Sequence, residues 1–272
     1  MNTPEPDSET IRAAMELAAR APSVHNTQPW RWAQRAETID LYADLDRQLA
    51  TSDQQRRQLE ISCGVALHHL RAAFAGLGWA TRVHHLPDAD DPTHLARLSL
   101  RPRPSRDIDR YLAAAIPLRR TDRRRYLPRA VPAGYLTMIS ICAENYGKAT
   151  VQRIRVAARP QLGEAACAEF SAQPDGAEWL AVCTPTDGRS ARIRAGETLS
   201  ALLLAATHLG LSTGVQTEPL ELPDIRDRIR EFACGGTYPH AMVRVGWVDE
   251  YATPTPETRR RRPEQVLRLE PA

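Results

Sequence analysis

The side chains able to do chemistry gather in four short runs. The first, Ala21-Pro22-Ser23-Val24-His25-Asn26-Thr27-Gln28-Pro29-Trp30, follows a helical stretch and contains two prolines. Its hydroxyl, amide and backbone groups suit a planar heteroaromatic ligand, although Ser and Asn are also ordinary turn formers. The second, Arg119-Arg120-Thr121-Asp122-Arg123, brings guanidinium groups and a hydroxyl close together. Such a run can wrap a phosphate in charge-assisted hydrogen bonds, and in an arginine-rich chain it also arises as a solvated face. The third leaves an apolar helix through Gly210-Leu211-Ser212-Thr213-Gly214-Val215-Gln216, a glycine-flanked turn that permits close backbone approach. The fourth, Arg259-Arg260-Arg261-Arg262-Pro263, is a basic tail that is usually solvated and could meet nucleic acid. No catalytic triad or carboxylate pair is visible. The adjacent His68-His69 and His84-His85 point to different faces and lack Cys or acidic partners at ligand spacing, so no metal site is expected.

Helices and strands must position these runs. Ser8 to Arg20 reads as a helix with Ser8 as N-cap, stopping before Pro22. Trp30 to Tyr42 alternates like a strand with a turn, and a helix spans about Leu59 to Leu77. Strands follow at Ala80 to His84 and Leu95 to Leu100, with Pro87 to Pro92 as a loop. Arg101 to Pro104 interrupts regular structure, so the chain is expected to divide into 1–104 and 105–272. The second part predicts helices over Asp109 to Pro117, Ala133 to Tyr146 and Arg192 to Leu211. Its strands are Val151 to Val156, Glu178 to Thr184 and Ala241 to Val248. Arg119 to Pro132 is basic and extended, and the tail from Thr253 is rich in Pro and Arg. Gly64, Leu67, Leu70 and Gly78 recur 132 residues later as Gly196, Leu199, Leu202 and Gly210, which favours an internal duplication over chance leucine periodicity.

At 272 residues, with 42 % hydrophobic and 25 % charged residues, the chain can bury a substantial core. A net charge of +3 gives no argument for a nucleic-acid partner. Lys148 is the only lysine, so the positive charge is nearly all arginine, as a G+C-rich genome produces. Cys63, Cys142, Cys167, Cys183 and Cys234 lack CxxC spacing and read as reduced, mostly buried thiols of a cytoplasmic protein. The N-terminus lacks a signal-peptide profile, and Leu199 to Leu211 is too short to span a bilayer, so no membrane association is expected.

The run Ala21 to Trp30 resembles the APSxxNxQPW signature of the nitroreductase superfamily of FMN-dependent flavoproteins. Arg119 to Arg123 resembles the RRSxR start of a nitroreductase protomer, and Gly210 onward resembles its GLGxxw turn. Arg259 and Arg261 match a C-terminal basic pair, two residues apart and just before a proline. In order over nearly the whole chain, the four runs most resemble the Acg-type branch, known from mycobacterial dormancy-associated proteins. That resemblance implies an α+β fold of two similar halves forming an intrachain pseudo-dimer, each with a mixed or antiparallel sheet packed by helices. It implies that Ser23, His25, Asn26 and Gln28 face the flavin, His25 either on the ring or as plain turn structure. Arg119, Arg120, Thr121 and Arg123 would meet the phosphate and ribityl chain, with Arg259 and Arg261 returning to the phosphate. Val215 and Gln216 would lie beside the isoalloxazine ring.

The first half carries the turn, whereas the second carries the arginine start and the basic tail. Only one composite site is then complete, Ser23 to Gln28 facing Arg119 to Arg123, which implies one FMN per chain. The resemblance implies NAD(P)H as electron donor and a nitroaromatic or quinone as acceptor, the flavin N5 carrying the chemistry without a catalytic side chain. The alternative is a flavin-binding or flavin-storage protein without turnover. An internal pseudo-dimer leaves monomer and homodimer both open. Acg-type proteins carry a longer insertion where this chain has only Lys148 to Ala177, so the site is more open or a lid comes from elsewhere, including a partner chain.

Overall fold

Asp7 rather than Ser8 caps the first helix. Its carboxylate accepts the Thr10 N–H at 2.7 Å, and α1 runs Ser8–Ala18. The structure, a computed structural model, describes residues 5–35, 38–48, 53–154, 176–249, 251, 253 and 255–269. After α1 come β1 (Trp30–Arg35), β2 (Thr38–Ala43), α2 (Asp53–Gly76), β3 (Trp79–His85), β4 (His94–Pro102) and α3 (Asp107–Ala115). Helix α2 begins earlier than its leucine period predicts, because the preceding Gln and Arg residues are good helix formers without an apolar pattern. Strand β4 runs through Arg101 and Pro102, where a break was expected; Pro102 sits at the strand's end opposite Trp79, a position that proline tolerates.

The chain continues through α4 (Ala133–Gly147), β5 (Thr150–Arg153), β6 (Glu178–Thr184), α5 (Arg189–His208), β7 (Ser212–Gln216), α6 (Pro223–Phe232) and β8 (Tyr238–Gly246). It ends in a short α7 (Pro263–Val266) and β9 (Leu267–Leu269). Ser212 to Gln216, expected as a turn, is a strand. The turn itself is confined to Leu209–Leu211, with Gly210 at φ +75°. Helix α6 and the tail elements α7 and β9 were not expected, although Ile225 and Ile229 stand one turn apart on α6 and are both buried. The end of the expected strand at Val156 and the thiol of Cys167 lie outside the described residues. Cys63, Cys183 and Cys234 are buried free thiols, and Cys142 is a half-buried one.

The chain forms two compact units, one of residues 1–118 with 258–272 and the other of residues 119–257. This division differs from the expected one at 104/105. Helix α3 packs on α2, where a Cβ on Gly76 would lie 2.5 Å from that of Ala113. The tail belongs to the first unit because β9 pairs in parallel with β1, Trp32 opposite Leu267. The first sheet has the order β3-β4-β2-β1-β9 and the second β5-β6-β8-β7. Read from the other end, the second is β7-β8-β6-β5, which repeats β3-β4-β2-β1 strand for strand. All of these pairings are antiparallel. The paired glycines of the sequence repeat match as well. Gly78 (φ +88°) and Gly210 (φ +75°) each end a long helix in the left-handed region that glycine enters without a Cβ penalty.

Each core is built on the repeated helix. Leu67 and Leu70 of α2 are fully buried, as are Leu202, Leu203 and Leu204 of α5. Burying each contributes roughly 1.5–3 kcal/mol. In the first unit Trp30 and Trp32 of β1 are buried with Ile39 and Leu41 of β2. Asp40 of β2 is also wholly buried. Arg97 holds it through two bonds of 2.7 and 3.0 Å, and His94 Nε2 lies 3.1 Å away while its ring stacks on Tyr42. Replacing Asp40 with Asn removes the charge that these groups surround. Arg97 is 39 % exposed, which limits the penalty. The expected loss is about 2 kcal/mol, below the roughly 3–5 kcal/mol of a fully buried ion pair that is broken. Urea unfolding reads it directly, and an unchanged midpoint would discount the network.

Candidate functional site

Two neighbourhoods collect the candidate residues, one in each unit. In the first unit α1 ends before Pro22, and the chain turns sharply. Gln28 N–H donates to Ser23 Oγ at 2.9 Å, Asn26 N–H to the Ser23 carbonyl at 3.0 Å, and Thr27 Oγ1 to the Val24 carbonyl at 2.9 Å. The turn is then tied to its surroundings, with Val24 N–H on Ser62 Oγ at 3.3 Å and Arg47 Nε on the Thr27 carbonyl at 2.6 Å. His25 (φ +49°), Asn26 (+56°) and Gln28 (+49°) all adopt left-handed backbone. Outside glycine this costs roughly 1–2 kcal/mol per residue, with Asn the most tolerant. Strain of this kind concentrates at functional turns. His25 is exposed, Ser23 and Asn26 are half-buried, and Gln28 is buried.

The tail arginines belong to this neighbourhood. Arg259 and Arg261, expected in the second half, lie in the first unit instead, because β9 carries the tail onto β1. Asn26 Nδ2 donates to the Arg259 carbonyl at 3.1 Å, and Arg260 Nη1 donates to Asn26 Oδ1 at 3.0 Å. Arg261 N–H donates to Gln28 Oε1 at 2.7 Å. Arg260, part of the basic run but not assigned to the cofactor, contacts Asn26 across a separation of more than two hundred residues, which no local signal shows.

In the second unit the run Arg119–Arg123 lies along β7. Asp122 N–H donates to the Thr213 carbonyl at 2.7 Å, and Thr121 makes a parallel bridge with Thr213. The close approach is possible because residue 214 is glycine. A Cβ there would sit 2.6 Å from the Asp122 carbonyl oxygen. Arg119 is buried, Arg120 is one-third exposed with its guanidinium 4.0 Å from Glu257, and Arg123 is exposed. Val215 and Gln216, both half-buried, continue the same strand. The run therefore sets Thr121 and Asp122 against the strand that carries Val215 and Gln216, with Arg119, Arg120 and Arg123 flanking them in sequence.

Two supporting arginines were missed. Arg124 grips the Asp122 carboxylate through its N–H, Nε and Nη2 at 2.7–3.0 Å. Burial pushes the Asp122 carboxyl up, but these bonds outweigh it and hold its pKa below the ordinary value. The resulting stabilisation is complete above the usual carboxylate range and is lost only as pH falls through the lowered pKa. Arg244 lies over the Tyr126 ring at 4.4 Å and donates to the Arg124 carbonyl at 3.3 Å. Arg244 has no local signal, since its contacts lie more than a hundred residues away, whereas Arg124 adjoins the run and grips a carboxylate only two positions back. Among the described residues no group of three His, Cys, Asp or Glu side chains could hold a metal ion, and no helix is long and apolar enough to cross a membrane.

No protein-family profile matches the chain. A Mycobacterium tuberculosis H37Rv protein that is an NAD(P)H nitroreductase by name is 38 % identical, covering 98 % of this chain and 93 % of the relative. The aligned length of 322 positions exceeds this chain's 272 residues, so the relative holds internal segments that this chain lacks. A second protein of that organism, also a nitroreductase by name and called acg, is 31 % identical over 96 % of both chains. Among solved structures, a nitroreductase by title from Anabaena variabilis covers 89 % of this chain and 74 % of its own at a TM-score of 0.55. Its 11 % identity shows a shared fold only. The duplicated α+β sheets, the turn at Ser23 and these relatives agree, and the chain belongs to the nitroreductase superfamily, in its Acg-type branch.

Proposed function

We propose that the chain binds one FMN and uses it for NAD(P)H-dependent reduction of small acceptors such as nitroaromatics or quinones. The observation that carries the proposal is the donor set of the segment bonded to β7 at Thr213. Arg119, Arg120, Thr121 and Arg123 present guanidinium groups and a hydroxyl from a segment fixed by backbone bonds to Thr213. That chemistry fits a phosphate ester and the hydroxyls of a ribityl chain. Val215 and Gln216 offer half-buried strand edge to the same ligand.

Bound FMN would supply hydride transfer between the nicotinamide donor and the acceptor. The protein's part is to hold the phosphate, orient the ring and leave room for the two substrates in turn. Among the residues assigned here no side chain needs to give or take a proton. Anaerobic mixing of the FMN-loaded protein with NADH or NADPH tests the reading. Rapid bleaching of the flavin, followed by its return on adding a quinone, is expected. Reduction by dithionite alone would overturn turnover and favour a protein that only holds flavin.

A further inference from the structure

We propose that the outward face of the first unit's sheet docks an acidic segment of a partner protein, whose carboxylates meet Arg35, Arg82, Arg97 and Arg101. The proposal is independent of the FMN reading.

The two repeated sheets differ in what covers them. In the second unit the connection from β7 to β8 carries α6, whose Ile225 and Ile229 join Ala181 of β6 and Met242 of β8 in one buried apolar cluster. In the first unit the matching connection from β3 to β4 spans only residues 86–93 and holds no helix. The side chains on that face change accordingly. His84, Arg97 and Asp40 form one row across β3, β4 and β2, where the second unit has Gln216, Met242 and Ala181. An uncovered face has to be polar, but it does not have to be basic.

The next row runs Arg35, Thr38, Ser99 and Arg82 across β1, β2, β4 and β3, and Arg101 stands one row further along β4. Arg35, Arg82, His84 and Arg101 are exposed, and Arg97 is half-buried. With strands about 4.8 Å apart, the Arg35 and Arg82 backbones stand roughly 14 Å apart, with two hydroxyl side chains between them. Asp40 is the only carboxylate in these rows, and Arg97 already holds it. Asp88 and Asp91 belong to the loop beyond the His84 end, where they accept N–H groups of the loop itself. The guanidinium groups of Arg82 and Arg101 have no hydrogen bond or ion pair among the described residues. Four arginines against one carboxylate carry as much charge as the net +3 of the whole chain. A merely solvated face mixes both signs, because like charges repel. Cations also guard an edge strand against pairing, which explains Arg82 on β3. It does not explain Arg97 and Arg101, since β4 lies inside the sheet.

The face selects its occupant. Carboxylates on alternate residues of an extended chain repeat about every 6.8 Å, which is the spacing of the rows, and each can take a guanidinium in paired hydrogen bonds. Nucleic acid fits less well, because Tyr42, the aromatic ring on this face, is already stacked on His94. A membrane fits less well too, since these rows hold no exposed apolar side chain to insert.

The test titrates protein, with FMN in excess, into a rhodamine-labelled peptide of alternating Glu and Ser and follows anisotropy. Arg82→Glu/Arg101→Glu should weaken the peptide about tenfold or more, and the milder Arg82→Gln/Arg101→Gln should give a smaller loss. Raising NaCl from about 50 to about 300 mM should weaken the wild type severalfold. Arg12→Glu/Arg228→Glu reverses two exposed charges elsewhere and should change affinity less than about twofold. Thermal melts check that each variant folds. No binding by the wild type, or equal losses in the two Glu double variants, would overturn the proposal. An oligothymidylate and vesicles of phosphatidylserine in phosphatidylcholine are titrated in parallel. If either binds more tightly than the peptide and is lost in Arg82→Glu/Arg101→Glu, the face belongs to nucleic acid or to a membrane, and the acidic segment is refuted.

Discussion

Replacing Arg119 and Arg123 together with alanine weakens FMN binding about 100-fold and leaves riboflavin binding nearly unchanged. A charge-assisted hydrogen bond contributes roughly 1.5–3 kcal/mol, so losing two at a phosphate removes at least two factors of ten. The single variants separate binding from folding. Arg123 is exposed, and its replacement should cost affinity without lowering the melting temperature. Arg119 is 5 % exposed, so its replacement should lower both. Because the contact is to a dianion, the wild-type affinity should also fall with salt more steeply than that of the double variant. Fluorescence titration of FMN into each protein measures all of this. Equal affinity for FMN in wild type and double variant would remove the phosphate assignment.

Gly214→Ala is expected to damage the same neighbourhood from behind. The added methyl would stand 2.6 Å from the Asp122 carbonyl oxygen and 3.3 Å from the Tyr126 hydroxyl. The nearer atom is backbone, which cannot swing aside as a long side chain can. Either β7 or the arginine run must move, and the bond from Asp122 N–H to Thr213 is the contact most exposed to that movement. Overpacking of this kind costs about 1–3 kcal/mol, a fall of roughly 3–10 °C in melting temperature for a chain of this size. Thr121 and Arg123 flank Asp122, so FMN affinity should drop about tenfold as well. Thermal melts with and without FMN read both effects. A normal melt with normal FMN affinity would show that the close approach does not hold the run in place.

Much of the fold was legible where the signal is local. Glu178–Thr184 appears as β6 with the expected ends, and the leucines of α2 and α5 face the interior as their spacing implies. The paired glycines at 78 and 210 foretold the repeated strand order, because a left-handed helix ending leaves a mark in the sequence itself. The failures share a different cause. Ser212 to Gln216 contains a glycine and small polar residues, which read as a turn, and becomes a strand only by pairing with β8. The tail strand β9 is three residues long and exists through its parallel register with β1. The compact units differ from the expected division at 104/105 for the same reason, since a segment's place in a unit depends on partners far along the chain.

The candidate site divides along the same line. The identities of Ser23, Asn26, Gln28, Arg119 and Arg123 stood out because they form dense local strings of unusual composition. What several of them touch did not. Asn26 and Gln28 bond to residues more than two hundred positions away, and Asp122 is neutralised by Arg124 rather than left to a ligand. Gly214 drew notice as part of a turn that permits close backbone approach to a ligand, whereas the group that comes close is the Asp122 carbonyl.

FMN occupancy is the central claim, and titration to saturation followed by desalting and quantitation of flavin against protein tests it most directly. The account predicts one FMN retained per chain, with the spectrum of a bound rather than a free flavin. A protein that saturates with two flavins, or that emerges colourless after exposure to excess FMN, would contradict it.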